Sequence, residues 1–419
     1  MTPVSVEWVA AFLFAVALAH TFAAKFFERL SHRYPDHAGL FHLLGEVEVV
    51  FGFWAIVLIV CMAWLQDGTQ ALAYAESRQY TEPLFVFVVM VVAASKPILT
   101  FVISAVDALS RLMPMRASLA KAWLGLCVVP LLGSAITEPA AMTIAALMLA
   151  PQVFRPEVPE RVKYLALGVL FVNISIGGTL TSYAAPPVLM VANVWDWDSA
   201  FMFTQFGWKS ALAVVVNATV AVYFLRHHLG VNTAADESAV SEPIPKSIVL
   251  VHLGFLAAVV ALAHYPVAFI GLFVMFMGFA QAYERYQNPL ILKEALLVGF
   301  FLAGLVVLGG MQQWWLQPIV STMDPQVLFY GTTVLTAFTD NAALTYLGSL
   351  ILDISDEAKY SLVAGAVAGG GLTVIANAPN PAGVALLRAG FADASVGAGG
   401  LLVGALFPTL VAMAALLYL

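Results

Sequence analysis

The sequence predicts an all-α polytopic membrane protein, with about ten transmembrane helices plus two re-entrant hairpins in two inverted-topology repeats. Three observations support this fold class. Hydrophobic residues make up 62% of the 419 residues and charged residues only 10%, whereas a soluble protein of this length needs roughly 25% charged residues to cover its surface. Long apolar segments recur along the whole chain. One motif built around an acid occurs twice, each time within hydrophobic sequence.

Ten apolar segments are long enough to cross the hydrocarbon core of a bilayer, which requires about 20 helical residues. They lie near residues 4–24, 40–64, 84–106, 164–192, 209–225, 247–263, 267–283, 294–311, 361–387 and 395–418. Two further apolar stretches, 119–150 and 327–352, are interrupted in the middle by Thr-Glu-Pro and by Thr-Asp-Asn. We interpret both as re-entrant hairpins, in which two half-helices meet at a polar tip that protein or water surrounds.

The charges of the loops favour hairpins that enter and leave on the same side of the membrane. With that topology, one side receives fourteen of the eighteen Lys and Arg residues, as the positive-inside rule expects of the cytoplasmic side. Residues 107–121 and 151–163 are then cytoplasmic, and residues 66–82 and 353–360 lie outside. Basic residues follow the first apolar stretch and do not precede it, so we interpret it as a membrane helix and not as a signal peptide. Both termini are predicted to lie outside.

The same topology divides the chain into two halves. Residues 1–226 form the first repeat, with spans 1–5 and the hairpin from the cytoplasmic side. Residues 247–419 form the second repeat, with spans 6–10 and the hairpin from the outer side. The hydrophilic stretch 227–246 is the predicted cytoplasmic linker. Since each repeat has an odd number of spans, the two run in opposite orientations, as the halves of inverted-repeat transporters do.

The duplicated motif places one acid at each hairpin tip and a helix break downstream of it. The first pair of matching stretches is Ser134-Ala-Ile-Thr-Glu138-Pro-Ala-Ala-Met-Thr143 and Thr336-Ala-Phe-Thr-Asp340-Asn-Ala-Ala-Leu-Thr345. The second pair is Gly177-Gly-Thr-Leu-Thr181 with Pro186, and Gly369-Gly-Gly-Leu-Thr373 with Pro379. A carboxylate in hydrophobic sequence is costly unless something requires it. Its repetition beside Gly and Pro helix breaks indicates a transporter binding site near the bilayer midplane.

Oxygen ligands for a small cation lie close to both breaks. A broken helix exposes unpaired carbonyls at the end of one half, and transporters use such carbonyls to coordinate sodium. Near the first break the candidate ligands are Thr137, Glu138, Asn173, Ser175, Thr179, Thr181 and Ser182. Near the second break they are Thr339, Asp340, Asn341, Thr373, Asn377 and Asn380. The residues expected to break the helices are Gly177, Gly178, Pro186, Gly369, Gly370 and Pro379.

Structural alternatives exist for these motifs. Thr-Glu-Pro and Thr-Asp-Asn are also good helix starts, although their duplication favours the binding interpretation. The Gly-Gly pairs could simply let helices pack closely, which is compatible with a helix break.

The chain contains the same order of features twice: a hairpin tip, then Gly-Gly-x-Leu-Thr, then a helix broken by proline. In this order the chain resembles the ion transporter superfamily. That group includes the sodium/proton antiporters of the NhaB and NhaD type, the arsenite permeases and the divalent-anion/sodium symporters. The chain looks most like the bacterial sodium/proton antiporter family. The resemblance implies a cation site at each tip, alternating access, a homodimer and a place in the bacterial inner membrane.

The two acids favour exchange of sodium, or another monovalent cation, for protons. The anion symporters of the superfamily have neutral Ser-Asn-Thr tips, whereas Glu138 and Asp340 would repel an anion. Burial favours the protonated form of a carboxyl group, so protons and sodium can compete for the same oxygens. The predicted partners are therefore small cations, protons and the lipid bilayer, with no cofactor and no nucleic acid.

Two other functions were weighed. A sodium- or proton-coupled transporter of a small anion or oxyanion would have neutral tips and a cationic side chain near them. A membrane-embedded enzyme would need a His-Glu-x-x-His pair, an Asp-rich diphosphate motif or a nucleophile beside a base, and the sequence contains no such motif.

Glu46, Glu48 and Lys96 form a second polar set, in which Lys96 can pair with Glu46 or Glu48. Glu46 and Lys96 are predicted about 9–15 Å inside neighbouring spans, so a buried ion pair between them is geometrically feasible. Its role, structural or as a proton relay, stays open. Glu48, two positions from Glu46, is expected on another face of the helix.

Overall fold

The computed structural model describes residues 3–229 and 243–419, and every regular element within those two ranges is helical. The prediction of an all-α protein is therefore confirmed. Of the predicted linker 227–246, residues 230–242 lie outside the described residues.

Residues 3–229 form fourteen α-helices. They are α1 (Pro3–Thr21), α2 (Ala24–Arg33), α3 (Ala38–Gly45), α4 (Val47–Leu65), α5 (Gly68–Glu76), α6 (Thr81–Ala93), α7 (Lys96–Leu112), α8 (Ala117–Leu126), α9 (Val128–Ile136), α10 (Glu138–Leu149), α11 (Glu160–Gly177), α12 (Pro186–Ala192), α13 (Ser199–Met202) and α14 (Trp208–Leu225). A π-helical segment at Phe203–Gly207 joins the last two.

Residues 243–419 form nine α-helices. They are α15 (Lys246–Ala261), α16 (Pro266–Ala282), α17 (Leu292–Gly309), α18 (Gln313–Val320), α19 (Pro325–Thr336), α20 (Asn341–Ser349), α21 (Asp356–Gly369), α22 (Asn380–Leu387) and α23 (Ala398–Tyr418).

Several of these helices can cross a membrane. Judged by length and apolar composition, the described residues contain five such helices, or up to seven if each of two bent helix pairs counts as one span. Further apolar helices of 10–17 residues, among them α10, α15 and α16, accompany them. The protein is accordingly an integral membrane protein.

Both predicted regions of helix breakage interrupt the α-helix and contain only a short 3-10 turn, Gly178–Leu180 in the first and Val374–Ala376 in the second. α11 ends at Gly177, and one 3-10 turn and extended backbone at Thr181 precede α12. α21 ends at Gly369, and α22 does not begin until Asn380. α12 begins at Pro186, because proline lacks the N–H that the first helical turn leaves unpaired anyway.

Each acid motif lies at the junction between two helices. In the first, α8 and α9 are bent by 41° relative to each other, and α10 returns alongside them after a sharp turn at Thr137. In the second, α19 ends at Thr336 and α20 begins at Asn341, so the turn contains Asp340.

One predicted straight span is wrong. Residues 84–106 were expected to form a single helix, but α6 ends at Ala93 and α7 begins at Lys96, with a bend of 64°. Ser95 has extended backbone (φ −65°, ψ 143°). Pro97 lies in the first turn of α7, where its missing N–H costs nothing, whereas it would interrupt a continuous helix. Lys96 consequently lies at a helix start.

The close pair α4 and α17 defines two ends of the molecule. The two helices begin together, since Lys293 Nζ lies 3.3 Å from Glu46 Oε1. They also end together, since the Tyr74 hydroxyl, just beyond α4, donates to Val307 O (2.6 Å). We call the side where they begin the Lys293 face and the side where they end the Arg78 face, because Arg78 lies against Gly310 there.

Small residues allow these helices to approach closely. A Cβ atom on Gly304 of α17 would collide with the backbone of Gly52 in α4, and one on Gly168 of α11 would collide with the backbone of Gly404 in α23. This is the packing that membrane helices use where apolar burial alone gives little driving force. Among the candidate spans, α11, which ends at the first break, is the most deeply buried.

Candidate cation site

The first hairpin tip buries a carboxylate against the break that follows α11. Glu138 begins α10 and is 0% exposed. Its Oε2 accepts a hydrogen bond from Asn377 Nδ2 (2.8 Å), while Oε1 has no hydrogen-bond partner in the described chain. A Cβ atom on Gly178 would lie 2.6 Å from that Oε1, so only glycine fits there without moving the carboxylate.

The residue before Glu138 has strained backbone. Thr137 has φ 81° and ψ 150°, which is rare for a β-branched residue and costs roughly 1–3 kcal/mol. It is 2% exposed, and its Oγ1 is without a hydrogen-bond partner among the described residues. Such strain persists only where the surroundings enforce it, and it is typical of binding sites.

The second hairpin tip holds its acid as a helix cap. Asp340 is 8% exposed, and its Oδ1 accepts hydrogen bonds from the backbone N–H of Ala342 (2.7 Å) and of Ala343 (3.4 Å). Next to it, Asn341 is fully buried and its Nδ2 donates to Ser175 Oγ (3.4 Å). The sequence therefore places the acid and a buried amide side by side at the start of α20.

Each tip is linked to the break in the other half of the chain. Glu138 of the first hairpin bonds Asn377, which lies in the break after α21, and Asn341 of the second hairpin bonds Ser175 in α11. Asn377 also lines a small cavity together with Asp340. The two predicted sites thus lie next to each other and form one polar centre, because Asn377 bonds Glu138 and lies beside Asp340.

The threonines of the two Gly-Gly-x-Leu-Thr motifs make corresponding contacts. Thr181 Oγ1 donates to Ser134 O (2.7 Å), and Thr373 Oγ1 donates to Ala337 O (3.0 Å). In both halves the threonine therefore fixes the broken helix to the last residues of the first hairpin arm. Asn380 Nδ2 donates to Gly370 O and Thr373 O (2.8 and 2.9 Å), satisfying carbonyls that the broken α21 would leave unpaired.

Buried acceptor oxygens without partners concentrate around this centre. In residues 3–229 and 243–419 they include Thr137 Oγ1, Glu138 Oε1, Asn341 Oδ1, Asn377 Oδ1 and Asn380 Oδ1. Leaving one such group unsatisfied costs about 1–3 kcal/mol. Hydroxyl, amide and carboxylate oxygens are the donor atoms that a hard cation such as sodium requires, so the donor set fits such an ion.

Two predicted ligands lie elsewhere. Asn173 donates to Leu126 O (2.7 Å) and accepts from Asn217 Nδ2 (2.9 Å), and Thr179 donates to Ile176 O (2.6 Å) and contacts Ser210 Oγ (2.9 Å). Asn173 therefore links α11 to α8 and α14, and Thr179 links the break after α11 to α14. Their role as cation ligands stays a prediction. Thr339 and Ser182 are partly exposed.

The predicted ion pair is also replaced by another. Glu46 contacts Lys293 (3.3 Å), and within the described residues it makes no ion pair with Lys96. The reason is the bend before α7, which removes Lys96 from the expected helix. The sequence grouped Glu48 with Glu46 and Lys96, yet Glu48 lines the same cavity as Asp340 and Asn377. Its position two residues after Glu46, on another face of α4, was the available signal.

A membrane-embedded helical fold with two acids at paired helix breaks defines a secondary ion transporter. A family model described as "Putative Na+/H+ antiporter" matches residues 5–419, and the chain belongs to this family. No curated protein matches the chain. The family makes this protein a transporter engaged in cation/proton exchange, and not an enzyme.

Proposed function

We propose that the protein exchanges sodium, or another monovalent cation, for protons by alternating access, and that Glu138 and Asp340 are the acids for which cation and proton compete. The observation that carries this proposal is the single polar centre, in which Asn377 bonds one buried carboxylate, Glu138, and lies beside the other, Asp340. A buried ionised carboxylate requires a counter-charge. Either a cation or a proton supplies it, so binding one releases the other.

The composition of the centre favours a monovalent cation. Divalent ions such as calcium are held by several carboxylates, and the described residues contain no group of three or more His, Cys, Asp or Glu side chains that could hold a metal ion. The hydrogen-bond partners of Glu138, Asp340 and Asn341 are amide, hydroxyl and backbone groups. An anion would need a cationic side chain at that place, so anion transport finds no support. The mechanism uses no cofactor.

Repeated contacts support the inverted-repeat arrangement of residues 1–226 and 247–419. A Cβ atom on Gly177 would lie 2.6 Å from Pro130 O, and one on Gly369 would lie 2.5 Å from Thr333 O. Pro130 lies eight residues before Glu138 and Thr333 lies seven residues before Asp340, so the two contacts differ by only one position. We therefore propose ten spans, two hairpins entering from opposite sides, and a relation to the NhaB and NhaD antiporters and the arsenite permeases. A homodimer in the bacterial inner membrane, with both termini outside, belongs to the same proposal.

An acidic cavity on the Arg78 face supports access from that side. It has a volume of ≈ 560 Å³ and is lined by Glu82, Asp196 and Asp198. Ser182 and Tyr183, which directly follow Thr181 in the first break, line it as well. Clustered negative charge raises the local concentration of cations, so this cavity suits a vestibule that leads toward the first break.

The proposed function predicts that sodium affinity weakens as pH falls. When one proton and one sodium ion compete for a carboxylate, each tenfold rise in proton concentration raises the half-saturating sodium concentration by up to about tenfold. Affinity is thus highest in alkaline solution and is lost on acidification. Purified protein in proteoliposomes, with an internal pH dye and added sodium, lithium or potassium, measures both this dependence and the preferred cation. A half-saturating sodium concentration that stays constant between about pH 6 and about pH 9 would contradict competition between sodium and protons.

The proposed topology predicts the sidedness of four loops. After replacement of Cys61 and Cys127, single cysteines at 107–121 and at 151–163 are expected to react with a membrane-impermeant reagent from one face. Cysteines at 66–82 and at 353–360 are expected to react from the other. The ion pair between Asp107 and Lys121 (2.8 Å) already holds the end of α7 beside α8. Labelling of 107–121 and 151–163 from opposite faces would mean that the first hairpin spans the membrane.

A further inference from the structure

One serine of the first hairpin holds both ends of the short turn that follows α11. Ser134 lies in α9 and is 4% exposed. Its Oγ donates a hydrogen bond to Gly177 O (2.7 Å) and accepts one from the Leu180 N–H (2.9 Å). Gly177 is the last residue of α11, and Leu180 ends the 3-10 turn after it. A single hydroxyl group therefore bridges the first break.

The turn that Ser134 bridges contains the residue that lies against the acid of the first tip. Gly178 lies between Gly177 and Leu180 in the chain, and a Cβ atom on it would lie 2.6 Å from Glu138 Oε1. Ser134 itself precedes Glu138 by four residues in the same hairpin. The two hydrogen bonds of its hydroxyl therefore fix Gly178 relative to the tip that carries the carboxylate.

The backbone carbonyl of Ser134 contacts the same break. It accepts a hydrogen bond from Thr181 Oγ1 (2.7 Å), and Thr181 is the first residue of extended backbone after the 3-10 turn. Both oxygens of Ser134 thus bind the region where α11 stops. Carbonyl groups at the end of a helix have no partner within it, so the hydrogen bond from Ser134 to Gly177 O also satisfies a buried acceptor.

The second half of the chain bridges its break with a different residue. Thr336 occupies the place of Ser134 in the duplicated motif, but its Oγ1 donates to a carbonyl within α19 (2.7 Å). There the bridge is made by Asn380, whose Nδ2 donates to Gly370 O and to Thr373 O. Both breaks are therefore bridged by one polar side chain, although the sequence repeat does not indicate which residue makes the bridge.

We propose that Ser134 is a positioning residue for cation binding, which holds the first break in the conformation that the cation-bound Glu138 requires. It acts through Gly178 and the backbone of the turn. This inference rests on the proposed function, because it takes Glu138 to be one of the acids for which cation and proton compete. Loss of the hydroxyl group leaves a buried carbonyl and a partly buried N–H without their partner. The break then loosens, and the affinity for the cation falls.

The test is sodium-driven proton movement by the full-length protein in proteoliposomes, measured as a function of sodium concentration. For Ser134→Ala, the half-saturating sodium concentration is expected to rise about tenfold, while the maximal rate stays within about twofold. Ser134→Thr keeps the hydroxyl group and should restore most of the affinity. Thr181→Val, which removes the hydrogen bond to Ser134 O, should also raise the half-saturating sodium concentration.

The matched control is Ser349→Ala, since Ser349 lies in α20 of the other hairpin and its Oγ donates to Tyr346 O (2.6 Å) within the same helix. That variant should keep the wild-type sodium dependence. A wild-type half-saturating concentration in Ser134→Ala, or an equal rise in Ser349→Ala, would overturn the positioning role.

Two further comparisons keep the result interpretable. The same loss of affinity in Ser134→Thr as in Ser134→Ala would show that the hydroxyl group is not what matters, and would overturn the proposal. If Ser134→Ala does not fold, unchanged affinity in Thr181→Val would overturn it instead. Glu138→Gln and Asp340→Asn serve as the separate test of the proposed function: full exchange in both would refute the role of the two acids regardless of the Ser134 result.

Discussion

Replacing Asp340 with asparagine is expected to abolish sodium/proton exchange and to leave the protein folded. Asparagine has nearly the same shape and is as good a helix cap as aspartate, so the hydrogen bond from the Ala342 N–H (2.7 Å) can persist. The amide, however, carries no charge, and it neither binds nor releases a proton in the pH range of the assay. Proton movement on addition of sodium, measured with the pH dye in proteoliposomes, should fall to the level of protein-free vesicles.

Asp324 offers a matched control for this experiment. It caps α19 as Asp340 caps α20, since its Oδ1 accepts from the Gln326 N–H (2.8 Å), but it is exposed and distant in sequence from both breaks. Asp324→Asn should therefore exchange at the wild-type rate. If it loses exchange as well, the effect belongs to capping and not to the charge at the hairpin tip.

Glu138→Gln tests the second acid in the same assay. The glutamine can still accept the hydrogen bond from Asn377, so the link between the two halves is retained while the charge is removed. A severe loss is expected, smaller than that of Asp340→Asn, because Pro139 lets Glu138 serve partly as a helix start. Wild-type exchange rates in both neutral variants would show that the acids are wrongly assigned.

The sequence allowed the helices, the breaks and the hairpin tips to be predicted because each has a local cause. Apolar segments of membrane length indicate helices, and Gly-Gly pairs with nearby prolines indicate where a helix stops. The exception is the bend before Lys96, where a single proline within strongly apolar sequence was not recognised as a helix start.

What could not be predicted depends on contacts between distant residues. Glu138 and Asn377 are 239 positions apart, and their bond joins the two sites into one centre. A single sequence does not indicate which side of α11 faces the tips, so Asn173 and Thr179 were grouped with Ser175 although they contact α14. The position of Glu48 beside Asp340 was not predicted for the same reason, since only the packing of α4 brings it to that cavity.

The second large effect is expected from Gly178→Ala, which adds one methyl group beside Glu138. The new Cβ atom would lie 2.6 Å from Glu138 Oε1 and 2.8 Å from its Cγ. The backbone cannot retreat easily, because the preceding Gly177 already lies against Pro130 O. The carboxylate must therefore move, and overpacking of this kind costs about 1–3 kcal/mol.

If that cost falls on the cation-bound arrangement, the half-saturating sodium concentration should rise by about tenfold to about a hundredfold.

Gly331→Ala is the matched control, because Gly331 lies in α19 of the other hairpin and a Cβ atom there would meet nothing within 4 Å. That variant should keep wild-type sodium dependence, and the added helix propensity of alanine should stabilise the fold by up to about 1 kcal/mol. Wild-type sodium dependence in Gly178→Ala would mean that the position of the Glu138 carboxylate does not limit cation binding. Equal losses in both variants would mean that an added methyl group disturbs transport whether it lies in the break or in α19. Neither result is compatible with a cation held against the break of α11.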